Sequence, residues 1–257
     1  MTELDILPPY PALLMQALVD GRQRSMIVVS DLHIGFAPWF QANNVLIDWY
    51  QVVQETEREL ERIVTSNRAD SIILLGDIKN TISTINKEDW NTIPKFFESL
   101  SKKCHVYFVP GNHDSKIRYL LPSRINVISV TGMTVDDTLL IHGHTMPSEI
   151  RSNVNKIILG HVHPIFLKAE SIANGQKVWI FLTVQKSAIF PGTEGLIDLI
   201  LMPSYNRSLV KRRTRNRERF DMPLLRRIMK PNLIVRCLVL SVDGAILGNE
   251  DILWTLL

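Results

Sequence analysis

Residues 26–35 read MIVVSDLHIG: an apolar run, Met26 to Ser30, followed at once by Asp31 and His33. A short β-branched run with no polar alternation is the pattern of a strand buried on both faces. The same grammar recurs down the chain in Ser71–Leu75 (SIILL), His105–Val109 (HVYFV), Thr138–Ile141 (TLLI) and Lys156–Leu159 (KIIL). Each run leads into chemistry-bearing residues: Asp77 in LLGDI, Asn112, His113 and Asp114 in PGNHD, His142 and His144 in IHGH, and His161 and His163 in LGHVH. Between the first two runs, Leu46–Val64 sets Leu46, Ile47, Trp49, Tyr50, Val53, Leu60 and Val64 at mostly helical spacing. A second helical pattern runs from about Glu88 to Leu100, with Trp90, Ile93, Phe96, Phe97 and Leu100 on one side. Strands alternating with helices predict a parallel α/β core in the front half. Behind it, Lys177–Thr183, Gly195–Leu201, Leu233–Val242 and Asp251–Leu256 read as strands with few helical signals between them, so the back half is expected to be mixed or antiparallel.

A chain of 257 residues hides roughly 70 to 75% of its unfolded surface and needs no disulfide or structural metal to hold a core. With 46% hydrophobic and 21% charged residues, disorder, collagen and coiled coil are excluded as whole-chain descriptions. Cys104 and Cys237 are too few for a disulfide framework, and a cytoplasmic location is the default. Ser71–Leu75 and Leu233–Val242, the latter broken by Arg236, fall far short of a membrane span, so no membrane partner is expected. The N-terminus begins acidic and carries prolines in its apolar part, unlike a signal peptide.

The net charge of +3 conceals an uneven distribution. From Arg207 to Lys230, ten basic residues stand against Glu218 and Asp221, a net of +8, and the remainder of the chain carries −5. The body is acidic, with one basic segment at about 205–230.

Polar groups collected just past the carboxyl ends of parallel strands are where open α/β sheets build sites. Six of the seven histidines lie in these motifs, and His105, at a strand start, reads as structural. In an extended segment Asp31 with His33, and His161 with His163, each point the same way and offer paired donors. Imidazole plus carboxylate suits manganese, iron, zinc or nickel, and no motif contains a cysteine for a thiolate site. Four His, two Asp and one Asn are enough for two ions, so a two-metal site is expected. The glycines before Asp77, Asn112 and His161 fit tight turns that bring backbone close to the ions.

At these residues the sequence resembles the calcineurin-like metallophosphoesterase superfamily, whose pattern is DxH, GD, GNH(D/E), a downstream His and GHxH. The match spans Asp31 to His163, with every core motif filled. SDLHIG, GDIK, and GHVHP followed by PSYN are further similar to archaeal phosphoesterases related to double-strand-break repair nucleases and to bacterial DNA-ligase-associated phosphoesterases. The resemblance implies an α/β (α+β) fold, a four-layer αββα sandwich of two mixed sheets flanked by helices; because Asp31 through His163 serve one site, a single domain over 1–257 is expected. It implies two divalent ions, manganese foremost with iron, zinc or nickel as alternatives. Asp31, His33, Asp77 and His163 would hold one; Asp77, Asn112, His142 and His161 would hold the other, with Asp77 bridging. Catalysis would be metal-bound hydroxide attack on a phosphodiester, with His113 as proton donor to the leaving oxygen and Asp114 fixing its tautomer. His144 would contact substrate or support a ligand.

The expected partner is a phosphate ester, with DNA or RNA the leading class. Arg212, Arg213 and Arg215 in LVKRRTRNRERF could neutralise backbone phosphates, and a solvated loop is the competing reading. Arg207, Arg226 and Arg227 could equally meet acidic neighbours in a homo-oligomer. Phe36, Trp39 and Phe40 would either wall the site or pack under the first helix. A phosphomonoesterase acting on nucleotides, metabolites or phosphoproteins is the alternative function, and a non-catalytic scaffold the third.

Overall fold

The structure, a computed structural model, describes residues 1–34, 48–147, 153–209, 222–230 and 232–256. The front half contains β1 (Glu3–Ile6), β2 (Leu13–Val19), β3 (Arg22–Ser30), α1 (Trp49–Ser66), β4 (Ser71–Leu75), α2 (Lys87–Lys103), β5 (His105–Val109) and β6 (Asn126–Val127). The back half contains β7 (Met133–Val135), β8 (Thr138–Ile141), β9 (Lys156–Leu159), β10 (Val178–Gln185), β11 (Leu196–Leu201), α3 (Pro223–Ile228), β12 (Ile234–Ser241), β13 (Ile246–Gly248) and α4 (Glu250–Leu256). No helix among the described residues is long and apolar enough to cross a membrane.

Two mixed sheets form. The first has the order β1-β2-β3-β4-β5-β6, with β3 to β6 parallel and the β1-β2-β3 edge antiparallel. The second has the order β13-β12-β10-β11-β9-β8-β7, in which β8, β9 and β11 run parallel and the outer strands antiparallel. Strand alternation explains the layering. Ile27 and Val29 face α1 and α2, packing with Leu60, Ile63, Phe96 and Phe97, while Val28 turns inward. The inward faces of both sheets meet in one layer: Leu13, Val28, Ile73 and Leu75 against Leu140, Ile158, Trp179, Ile200 and Met202. On the far side, Ile157, Leu182 and Leu199 pack with Leu224, Leu225 and Ile228 of α3 and Leu253 of α4. The expected four layers are present, and the back half is mixed.

Capping chemistry sets the helix ends. Asp48 accepts from the backbone of Tyr50 at 3.0 Å and Gln51 at 3.4 Å, and Asn86 with Asp89 closes a capping box on α2. Trp90, expected on the apolar face of α2, is instead 53% exposed, one residue outside the stripe of Ile93, Phe96, Phe97 and Leu100. Asp251–Leu256, read as a strand, is helical. Asn249 Oδ1 accepts from Asp251 N at 3.2 Å as a cap, acids occupy the first turn, and Leu253 and Leu256 reach the core together. The β2–β3 hairpin turns on Asp20 and Gly21, both with positive φ, an Asp-Gly signal present in the sequence.

Trp179 has no exposed surface and lies in the layer between the sheets. Trp179→Ala is expected to cost about 3–5 kcal/mol of unfolding free energy, measured by urea denaturation of the metal-free protein.

Candidate metal centre

Every motif lands past the carboxyl end of a parallel strand: Asp31 and His33 after β3, Asp77 after β4, Asn112 to Asp114 after β5, His142 and His144 after β8, His161 and His163 after β9. Three of those strands belong to one sheet and two to the other, so the site spans the seam between them. Cross-sheet hydrogen bonds fix the seam. The His161 backbone N–H donates to Asp31 Oδ2 at 3.0 Å, and His142 Nδ1 lies 2.8 Å from the Leu75 carbonyl. A carbonyl only accepts, so His142 carries its proton on Nδ1 and turns Nε2 into the site.

Donor atoms converge in three sets: Asp31, His33 and His163; His33, Asp77 and His113; Asp77, His142 and His161. Within each, the atoms lie within 4.8 Å of one another. His163 Nε2 is 2.9 Å from Asp31 Oδ1, and His33 Nε2 is 3.6 Å from Asp77 Oδ2. His142 Nε2 lies 3.4 Å from Asp77 Oδ2, 3.3 Å from Asn112 Oδ1 and 3.2 Å from His161 Nδ1. All seven residues expected as metal ligands are thus brought together.

The electrostatics favour a cation. Burial opposes ionisation of Asp31 and Asp77, yet His163 holds the Asp31 carboxyl far below the usual range and His142 holds that of Asp77 at about 2. Burial also opposes a charged His142, but Asp77 and Asp31 hold it up to about 9, so positive charge is stabilised where these donors meet. His33 and His161 are pushed down to about 4 by burial, which leaves their rings neutral with lone pairs available. Buried carboxylates, imidazoles and an amide oxygen form a donor set that fits divalent manganese, iron, zinc or nickel.

Five of the seven sit in left-handed backbone: Asp31 (φ 58°), His33 (39°), Asp77 (52°), His161 (68°) and His163 (48°). Two glycines make the close approach feasible. A Cβ on Gly160 would stand 1.7 Å from Ser30 Oγ, and one on Gly111 2.2 Å from Asp77 Oδ1.

Asp114 differs from expectation. Its carboxylate accepts from the backbone of Asp77 (2.7 Å), Gly111 (2.8 Å), Ile78 (2.9 Å) and Lys79 (3.2 Å), joining the GD and GNHD turns. Burial, with the Asp77 charge adding to it, pushes this carboxyl up to about 6. The His113 ring is oriented instead by the Asn80 carbonyl, 2.5 Å from Nδ1, which leaves Nε2 3.9 Å from Asp77 Oδ2. His144 stands beside the set, its ring 5.3 Å from that of His142, and its buried Nδ1 has no hydrogen-bond partner among the described residues.

Several supporting residues escaped sequence reading. Asn206 Nδ2 donates to the carbonyls of Leu32 (3.0 Å) and His33 (2.9 Å), bracing the DLH turn. Lys177 Nζ in turn donates to the carbonyls of Ser204, at 2.8 Å, and Asn206. The signal for Asn206 was the same grammar, since PSYN follows parallel strand β11. Arg207 pairs with Glu59 of α1 within the chain. Arg212, Arg213, Arg215, Phe36, Trp39 and Phe40 lie outside the described residues.

No curated protein matches the chain. The crystal structure of Pseudomonas putida nuclease MPE is similar in fold, with a TM-score of 0.52 at 15% identity over 91% of this chain and 100% of that one. YfcE, a phosphoesterase from E. coli, gives a TM-score of 0.40 at 15% identity over 88% and 98% of the two chains. The model of the calcineurin-like phosphoesterases matches residues 25–183, which covers more than half of the chain and all of the donor motifs. The chain belongs to the calcineurin-like phosphoesterase family and is a metal-dependent hydrolase of phosphate esters.

Proposed function

We propose that the protein is a two-metal phosphodiesterase acting on nucleic acid. The observation that carries this reading is the convergence of two buried carboxylates, four imidazoles and an amide oxygen, with His113 Nε2 turned toward the same point. Asp31, His33, Asp77 and His163 would hold one ion, manganese foremost, and Asp77, Asn112, His142 and His161 the other. When bound, such ions polarise the phosphoryl group, acidify water and offset charge developing in an in-line displacement.

The chain's own residues supply the rest. His142 is held to one tautomer by Leu75 and is a fixed donor. His113, anchored through Nδ1, presents Nε2 to the leaving oxygen and hands it a proton as the ester bond breaks. Asp114 locks the turns that carry Asp77 and Asn112 at a set spacing. A phosphodiester of nucleic acid is favoured by the basic segment around Arg212, Arg213 and Arg215 and agrees with the nuclease among the neighbours of like fold. His144, whose ring lies beside those of His142 and His161, would meet a substrate oxygen.

Mn²⁺-loaded protein is expected to hydrolyse bis-p-nitrophenyl phosphate and oligonucleotides, and His113→Ala to lower kcat on oligonucleotides by about 100- to 10,000-fold. Equal rates for the two proteins, or a preference for p-nitrophenyl phosphate over the bis ester, would overturn the assignment. Mn²⁺ at about 100 times its Kd should stabilise the fold by about 2.7 kcal/mol in thermal denaturation. Gly160→Ala, which drives a methyl group into Ser30 and Asp31, should weaken Mn²⁺ binding about tenfold or more by calorimetric titration.

A further inference from the structure

The anchor of His113 is a main-chain carbonyl, that of Asn80, on a stretch with no regular secondary structure between the GD turn and α2. Such a carbonyl holds a ring steady only if the loop beneath it is fixed. Lys79, next in sequence, is fully buried, and its ammonium turns back into that loop. Nζ donates to the carbonyls of Thr81, Ile82 (3.0 Å) and Thr84 (3.2 Å). Three carbonyls gathered on one ammonium use all three of its donors, a tight arrangement that water would otherwise have to supply. The far end of the loop is fixed by the Asn86–Asp89 capping box. The near end is fixed by the Lys79 backbone N–H, which donates to Asp114 Oδ1 at 3.2 Å.

We propose that Lys79 is a positioning residue for His113: its ammonium shapes the 80–84 loop around itself, which sets the Asn80 carbonyl and so aims His113 Nε2 at the leaving oxygen. The three donors of the Lys79 ammonium are all engaged by loop carbonyls, so it acts through the loop. The proposal rests on the reading of His113 as proton donor, and it assigns a role to a buried cation that the two-metal mechanism leaves unused.

The test compares two esters. The leaving anion of bis-p-nitrophenyl phosphate is stable without a proton, whereas the alkoxide released from a thymidine dinucleotide requires one. Lys79→Met is expected to lower kcat on the dinucleotide about 10- to 100-fold with KM unchanged, and to change the bis ester about threefold at most. Added to His113→Ala, it should cost almost nothing further, because the two act as a unit. Equal losses on both esters, or a full additional loss in the double variant, overturns the proposal. Lys79→Arg, whose planar head cannot meet three converging carbonyls alike, makes the same comparison should Lys79→Met fail to fold. Proton NMR of metal-free protein reads the anchor without turnover. A slowly exchanging His113 Nδ1–H in the native protein that exchanges rapidly in the Lys79 variant supports the proposal, and unchanged slow exchange overturns it. If the native enzyme cleaves neither ester, the functional reading falls while the NMR comparison still decides the role of Lys79.

Discussion

Asp31 and Asp77 are buried carboxylates, and a buried negative charge is tolerated only when something positive or strongly hydrogen-bonding compensates it. Backbone N–H groups of His161 and His113 and the Ser30 hydroxyl meet some of that need. The remaining oxygens face imidazoles, which compensate by holding a proton or by sharing a cation. The other features of the site follow from this demand: a His142 ring whose proton affinity Asp77 and Asp31 raise, neutral rings at His33 and His161, and glycines where the chain must come close.

The backbone around these donors is held in an unfavourable form. Left-handed conformations at five non-glycine residues cost of order 1–3 kcal/mol each, and Asp tolerates them better than His. They persist because each turn is tied on more than one side. The DLH turn is bonded to Gly76, Asp77 and Ile78 by its amides and to Asn206 by its carbonyls. The GD and GNHD turns share the Asp114 carboxylate. A site assembled this way keeps its shape at the expense of local stability, which the inter-sheet core around Trp179 offsets.

The strands and the cluster of candidate donors were legible because one local rule governed both. A buried parallel strand is an unbroken apolar run, and functional groups follow its carboxyl end, so Asp31 to His163 could be read in order. What the rule does not cover was missed. The β1–β2 hairpin carries weak alternation, and a seven-residue helix such as α4 is too short for periodicity to separate from a strand. Lys79, Lys177 and Asn206 act by contact with main-chain carbonyls, in the last two cases of residues far away in the chain, and Asn80 acts through its own carbonyl, which accepts from the His113 ring. Asp114 was expected to hold a ring and instead holds four amides, a difference that only the folding of two turns against each other decides.

Because the donors come from both sheets, the layer of Val28, Ile73, Leu140, Ile158 and Trp179 is also the spacer of the site. Its thickness sets how far β4 stands from β8, and therefore how far Asp77 stands from His142. Side chains with no chemistry of their own thus act as a gauge block: a change in their volume alters the separation of the facing Asp and His donors as well as the stability of the core.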